Sequence, residues 1–170
     1  EEIRTIQQIY NSAWEKNWGF VPMTDAEFEF MAKELRPIVN ADLLWIGEIE
    51  GKAAGFALCL PDYNIVLKKM NGRLWPFGIL KALWHKRNIN RVRIITLGII
   101  REFRLSGLDI LMYSKIARSC LAMGIRHGEL GWILENNRIM NRAAEGMGAR
   151  VSKRYRIFEK SLCEGNIPEA

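Results

Sequence analysis

A β-branched segment that leads through a glycine turn into a helical pattern most restricts how this chain can fold. Val92 to Ile100 reads as a strand, and Gly107 stands shortly before the helical pattern. A helix is predicted from Leu108 to Met123, where apolar residues recur at helical spacing and Gly124 follows as a cap. Its predicted apolar face is formed by Leu108, Leu111, Met112, Ile116 and Cys120. Such a strand–loop–helix junction binds phosphate in many proteins, because backbone N–H groups and the helix dipole face the anion. An ordinary turn carrying a surface arginine is the alternative.

Helical and strand signals alternate along the first half of the chain. Residues 2–17 have the spacing of an amphipathic helix. Thr24 and Glu27 predict a capping box, and the helix they open should end before Pro37. Residues 43–49 and 53–60 read as two strands joined by a tight turn.

The second half predicts strands at 129–134 and 150–159 with a helix at 137–146 between them. Strands that alternate with helices pair in parallel, whereas the hairpin in the first half is antiparallel. The sequence therefore predicts a mixed sheet.

Size and composition favour one ordered domain. The chain has 170 residues, 49% of them apolar, which is enough for one core. No apolar run approaches the roughly 20 residues of a membrane span, and the acidic start is unlike a secretory signal. Three well-separated cysteines read as ordinary thiols. These features predict a cytoplasmic protein.

Residues 1–60 are net acidic and residues 61–170 are net basic, and residues 61–90 alone carry six Lys or Arg residues and one Asp. The same segment holds the aromatic residues Trp75, Phe77 and Trp84, and it predicts one or two short helices. A cap or lid over a cleft is one interpretation, and contact with an anionic membrane surface is another. No motif for reading nucleic acid accompanies the positive charge, so no nucleic-acid partner is expected.

Several of these segments together resemble one family. Arg104-Leu105-Ser106-Gly107-Leu108 is similar to the Arg/Gln-x-x-Gly-x-Gly/Ala pyrophosphate loop of the GNAT N-acetyltransferases, and Leu97-Gly98-Ile99 is similar to the strand end that precedes it. Asn137, eleven residues before Gly148, resembles the family's second motif. The resemblance covers residues 3–160.

The resemblance implies an α/β (α+β) fold, with helices on both faces of a mixed central sheet. It predicts a single domain over residues 1–160, a helical insertion at about 61–90, and a tail at 161–170. The family's usual first strand has no counterpart in this chain.

The implied function is an N-acetyltransferase or broader N-acyltransferase. Acetyl-CoA or another acyl-CoA would be the substrate, no metal would be needed, and an amine would attack the thioester directly. The acceptor would be a small-molecule amine or a lipid-like one, and a homodimer is left open. The implied acyl-CoA-binding residues are Ile99, Ile100, Arg101, Arg104, Leu105, Ser106, Gly107, Leu108, Asp109 and Asn137.

Two departures from the family pattern bear on catalysis. Asp109 stands where the loop motif ends in Gly or Ala, and Ala144 stands where many relatives have a tyrosine acid. Glu135, at the predicted end of its strand, is the candidate general base, with a surface or helix-capping carboxylate as the alternative. These departures keep a second hypothesis open, namely an inactive GNAT-like binding or regulatory domain, as part of a longer tandem protein or bound to a membrane through residues 61–90.

Overall fold

The computed structural model describes residues 2–71, 75 and 77–160. Within these residues, four strands form one sheet in the order β1-β2-β3-β4: Leu44–Ile49, Lys52–Pro61, Arg91–Ile99 and His127–Leu130. The pairs β1–β2 and β2–β3 are antiparallel, and β3–β4 is parallel. The predicted mixed sheet is therefore confirmed.

Six helices lie within the described residues: α1 Glu2–Trp14, α2 Asp25–Leu35, α3 Asn64–Met70, α4 Gly78–Lys86, α5 Leu108–Ala122 and α6 Arg138–Gly146. Short 3-10 turns occur at Ala41–Leu43 and Arg101–Phe103. The predicted capping box is present, with the Thr24 side chain accepting from the Glu27 N–H and the Glu27 carboxylate accepting from the Thr24 N–H. The predicted helical insertion is also present, as α3 and α4.

The β1–β2 hairpin has the backbone that its sequence predicts. Glu50 and Gly51 have φ values of 51° and 76°. Positive φ at both central residues is typical of the two-residue turn that matches the twist of a hairpin. The turn thereby sets the strand register that pairs Ile49 with Lys52.

Helices cover both faces of the sheet, as predicted. Successive residues of a strand point to opposite faces, so Phe56 and Ala57 of β2 face opposite layers. Phe56 packs against Trp14 of α1, whereas Ala57 belongs to a buried cluster with Met112 and Ile116 of α5. Gly98 of β3 allows α1 to approach, because the Trp14 ring occupies the space that a Cβ would take.

The structure corrects several predicted boundaries. The first helix ends at Trp14 rather than at residue 17, and the strand predicted at 129–134 is β4, His127–Leu130. Leu111 is 56% exposed, so the prediction that it joins the apolar face of α5 is wrong. The buried residues of α5 follow a strict four-residue spacing, and Leu111 lies beside that row.

The predicted closing strand over 150–159 is wrong. Residues 151–160 have no secondary structure, and Val151, Tyr155, Ile157 and Phe158 are exposed. A β-branched and aromatic pattern describes a residue's fit to a sheet surface, and it produces a strand only where a neighbouring strand and a buried face exist. The predicted tail at 161–170, and residues 72–74 and 76 of the insertion, lie outside the described residues.

The chain divides into two compact units, Glu1–Trp132 and Ile133–Ala170. The sheet and α1 to α5 belong to the first, and α6 belongs to the second. The single domain expected over residues 1–160 stays a prediction. Among the described residues, no helix is both long and apolar enough to cross a membrane.

Candidate functional site

Strand β3 changes its pairing on both sides at the same place. On the β2 side, Leu58 pairs with Thr96 and Cys59 pairs with Ile94, so Ile95 is an extra residue that forms a bulge. On the β4 side, the paired register runs from Arg91–His127 to Ile94–Leu130. A bulge bends its strand and is common beside active sites. Within the described residues, the carboxyl half of β3 therefore presents a backbone edge that β4 does not cover.

A loop with unusual backbone conformations follows this open edge. The N–H of Ile100 donates to the carbonyl of Ala54 over 2.8 Å, which holds the end of β3 to the sheet. Leu105 then adopts φ 69° and Gly107 adopts φ 83°. The left-handed region is unfavourable for a leucine, and such strain is concentrated at functional sites. The structure thus maintains a costly conformation between β3 and α5.

The N-terminus of α5 faces the same loop. Gly107 is the N-cap and supplies no side-chain hydrogen bond, and a Cβ built on it would meet nothing within 4 Å. The Ser106 hydroxyl accepts from the N–H of Leu108 at 3.3 Å. The first N–H groups of a helix lack intrahelical partners and attract anions together with the helix dipole. This helix end therefore has the features of an anion-binding site, and the open space at Gly107 leaves its backbone accessible.

Asp109 lies in the first turn of α5, where its carboxylate complements the helix dipole. Its charge is felt one turn later by Tyr113. Burial, and secondly the charge of Asp109, raise the pKa of Tyr113 to about 12. A bound diphosphate would bring further negative charge beside this carboxylate.

Arg104 is an exposed residue whose guanidinium nevertheless donates to two backbone carbonyls. Its Nε donates to the carbonyl of Ile99 over 3.3 Å, and one terminal nitrogen donates to the carbonyl of Ala13 over 2.8 Å. The carbonyl of Ala13 belongs to the last turn of α1, where a positive charge is favourable. Arg104 therefore joins α1, the end of β3 and the loop.

Thr96, the first residue after the bulge, carries a hydroxyl that the sequence reading did not select. Its Oγ1 is buried and has no hydrogen-bond partner among the described residues, and the same holds for Nε of Arg93. A buried unpaired polar atom costs free energy and requires an explanation. A threonine between the aliphatic residues Ile95 and Leu97 was the available signal.

Glu135 and Asn137 lie in the second unit. The Glu135 carboxylate accepts from a guanidinium nitrogen of Arg156 over 2.6 Å. This hydrogen bond and the charge of Arg156 lower the pKa of Glu135. A carboxylate of lowered pKa is a weaker proton acceptor, so this ion pair disfavours Glu135 as a general base.

Asn137 is the N-cap of α6, and its side-chain oxygen accepts from the N–H of Met140 at 3.3 Å. Asn141, one turn later, donates to the carbonyls of Leu134 and Asn137 over 3.1 and 3.0 Å. Asn141 therefore fixes the turn before α6, a role that the sequence reading missed. The acyl-CoA role of Asn137 stays a prediction.

A separate cavity of about 480 Å³ lies in the first unit. Its wall includes Ile89, just before β3, and Ile125, just before β4. It is therefore at the amino ends of these parallel strands, whereas the loop and the open edge are at the carboxyl end of β3. Groups of three or more potential metal ligands are not found among the described residues.

Two curated bacterial proteins are similar to this chain, although no known protein-family profile matches it. The "Bacterial ceramide synthase" of Caulobacter vibrioides (strain NA1000 / CB15N) is 35% identical, over 95% of this chain and 44% of that protein. "Protein YghO" of Escherichia coli (strain K12) is 34% identical, over 95% of this chain and 43% of that protein. The chain thus spans less than half the length of these relatives.

The chain is similar in fold to the solved structure of AAC(6')-Iy in complex with the bisubstrate analog CoA-S-monomethyl-acetylneamine. It superposes with a TM-score of 0.59 at 17% identity, covering 95% of this chain and 92% of that one. The chain therefore has the GNAT N-acetyltransferase fold, as the order of its motifs predicted.

Proposed function

We propose that this chain is an acyl-CoA-dependent N-acyltransferase. One observation carries the proposal: the carboxyl half of β3 is an open strand edge. The bulge at Ile95 and the end of the β4 pairing at Leu130 leave this edge exposed, immediately before a loop of the kind that binds phosphate. An extended ligand needs such an edge, because backbone groups can pair with it as another strand would. The diphosphate then lies at the end of the strand, where the loop and α5 begin.

Different residues of the loop bind different parts of the acyl-CoA. The N–H groups from Leu105 to Asp109 bind the diphosphate, and Arg104 positions them by its bonds to Ile99 and Ala13. The backbone near Ile99 orients the thioester, whose carbonyl needs a hydrogen-bond donor as negative charge develops on its oxygen. The N–H of Ile100 is already bonded to the carbonyl of Ala54 and holds this strand end in place. Arg101 begins the short turn that separates this donor from the loop.

The reaction is direct attack of an amine nitrogen on the thioester carbon. The C–N bond forms, the C–S bond breaks, and CoA leaves as a thiolate, which takes up the proton that the new amide nitrogen loses. Because an ammonium group has no lone pair to attack with, a base must first remove its proton. Glu135 is the candidate from the sequence, and release from Arg156 would be required for it to act.

A long-chain amine is the acceptor we propose. The similarity to a protein named bacterial ceramide synthase supports it, because a ceramide contains an acyl group in amide linkage to a long-chain amino alcohol. The same class of bond would be made here. A homodimer and a cytoplasmic location stay predictions.

Thermal unfolding with ligand tests the donor site first. A ligand at 100 times its dissociation constant adds about 2.7 kcal/mol to stability, which raises the midpoint by roughly 5 to 10 °C in a domain of this size. We expect this rise with acetyl-CoA or a long-chain acyl-CoA and none with ATP. Release of free CoA thiol with a sphingoid-type amine, compared with short primary amines, then tests acceptor and turnover.

An inactive binding domain is the second candidate. The ion-paired Glu135 and the buried Ala144, at the position of the family's tyrosine acid, favour it. A midpoint shift with acyl-CoA, combined with no CoA release for any amine, would support this candidate. The absence of a shift with every acyl-CoA would contradict both.

A further inference from the structure

Helix α4 exposes its large apolar residues and buries small ones, the reverse of an ordinary surface helix. It buries Gly78 and partly buries Ala82 and His85. Its large apolar side chains are instead exposed: Ile79 by 54%, Leu80 by 63%, Leu83 by 63% and Trp84 by 75%. Small residues against the protein and large ones outward leave an apolar surface that water covers at a cost.

These four side chains form one continuous stripe. At about 100° per residue, they span about 140° of the helix and are centred opposite Gly78. Lys81 and Lys86 stand at the two borders of the stripe, both exposed. Lys86 also places its Nζ 5.9 Å from the centre of the Tyr63 ring. An apolar stripe bordered by lysines is the arrangement of helices that lie in a membrane interface.

The residues before α4 add further exposed apolar and basic side chains to this surface. Helix α3 packs against α4, and on it Leu67, Lys68 and Lys69 are exposed. Trp75 and Phe77, just before α4, are exposed as well. Tryptophan is enriched where a membrane meets water, since its ring is apolar and its N–H is polar.

The charge of the segment selects the kind of membrane. Between Tyr63 and Asn90 the chain has six Lys or Arg residues and no Asp or Glu. Anionic lipid headgroups attract such a segment, and each lysine near the surface strengthens the binding. A neutral bilayer offers no equivalent attraction.

We propose that the α3–α4 surface, defined by Leu67, Lys68, Lys69 and the exposed residues of α4, docks on an anionic phospholipid bilayer. The apolar stripe enters the headgroup region, and the lysines contact lipid phosphates. This inference concerns a surface other than the loop site and does not depend on acyl transfer, so each can fail alone. If both hold, the surface brings the enzyme to the place where a long-chain amine resides.

Co-sedimentation with vesicles tests the proposal. The probes are phosphatidylcholine vesicles with and without about a third phosphatidylglycerol, at low and at high salt. We expect binding to the anionic vesicles at low salt, weaker binding at high salt, and little binding to neutral vesicles. No binding to anionic vesicles at low salt would overturn the proposal, as would equal binding to neutral ones.

Two pairs of matched variants locate the surface. Leu83→Glu/Trp84→Glu places charges in the stripe, and Trp18→Glu/Val21→Glu makes the same change at exposed apolar positions outside the insertion. We expect Leu83→Glu/Trp84→Glu to weaken vesicle binding by about tenfold or more. Trp18→Glu/Val21→Glu should weaken it less, because this variant only adds negative charge to the protein. Equal losses in the two variants would overturn the assignment. Unchanged circular dichroism and melting temperature verify that both are folded.

The charge is tested with Lys69→Glu/Lys81→Glu against Lys16→Glu/Lys33→Glu, which changes the net charge equally. We expect a loss of about tenfold or more for the first pair alone. A second copy of the chain is the rival occupant of the stripe. If light scattering shows a dimer that Leu83→Glu/Trp84→Glu dissociates while vesicle binding is unchanged, the stripe is a dimer interface and the proposal is wrong.

Discussion

Helices α4 and α5 both carry large apolar residues at helical spacing, but only α5 turns a row of them into the core. On α5, Leu108, Met112, Ile116 and Cys120 enter the core. On α4 the apolar residues face outward, and Gly78 is the residue that is buried. Amphipathic spacing identifies a helix and its apolar stripe, but the spacing does not say what the stripe contacts.

The positions of the two helices in the chain explain the difference. Strands β3 and β4 are parallel neighbours, and such strands need a crossover that passes over a face of the sheet. Helix α5 is that crossover and must present a surface to the sheet. Strands β2 and β3 are antiparallel neighbours, which a short turn could join. The residues between them are therefore free to form a surface of their own.

The largest difference between the helices should appear in stability. We expect Ile116→Ala on α5 to lower the free energy of unfolding by about 3 kcal/mol, because it leaves a cavity in the core. Leu83→Ala on α4 should change it by less than about 0.5 kcal/mol, since this side chain is already in water. Urea unfolding measures both. A similar loss in the two variants would show that α4 is packed against another part of the protein.

The core beneath α5 should also respond to alkaline pH. Burial, and secondly the charge of Cys120, raise the pKa of the Cys59 thiol to about 12. The folded state therefore keeps a proton that the unfolded state loses above about pH 9, so stability is full below that pH and declines as pH rises toward 12. Between pH 8 and pH 10.5 this amounts to about 2 kcal/mol.

Urea unfolding at these two pH values gives the measurement, and Cys59→Ala is the variant to compare. Removing the thiol should flatten the dependence on pH, although it also shortens a core side chain. Leu83→Ala, on α4, should retain the parental dependence. An unchanged slope in Cys59→Ala would mean that other groups govern the alkaline loss.

Features set by residues adjacent in the chain could be predicted from the sequence, whereas features set by residues distant in the chain could not. The capping box of Thr24 and Glu27 and the turn at Glu50 and Gly51 are set by a few adjacent residues, and both are present in the structure. The bulge at Ile95 is different, because it depends on how β2 and β3 align over their length. Nothing in the run from Val92 to Ile100 marks that residue.

The candidate site divides in the same way. The loop from Arg104 to Gly107 and the start of α5 were located from their own sequence, since glycine and a helix start are local signals. The bonds of Arg104 to Ala13 and of Glu135 to Arg156 join residues far apart in the chain. They change what each side chain can do, and no local pattern could have indicated them.

Among the charged residues near the N-terminus of α5, Arg104 should contribute most to acetyl-CoA affinity. Arg104→Glu would break two bonds to backbone carbonyls and place a negative charge in the loop, so we expect acetyl-CoA affinity to fall by about thirtyfold. Arg118→Glu, exposed near the other end of α5, is the control and should alter affinity by less than about threefold. Calorimetric titration with acetyl-CoA measures both. Full affinity in Arg104→Glu would show that the phosphate loop is wrongly assigned.

Asp109 gives the smallest of these effects and the opposite sign. Asp109→Asn removes a negative charge from the first turn of α5, where we place the diphosphate. At an effective dielectric constant of about 60, closer to that of water than of a protein interior, two like charges about 6 Å apart repel by about 1 kcal/mol, so acetyl-CoA affinity should rise about fivefold. The same change should lower the pKa of Tyr113, because Asp109 contributes to raising it. If Tyr113 responds and acetyl-CoA affinity does not, the substitution has removed the charge as intended and the diphosphate lies elsewhere. If both respond, the diphosphate binds at the N-terminus of α5. Helix α5 would then bind acyl-CoA, whereas α4 provides the exposed apolar surface.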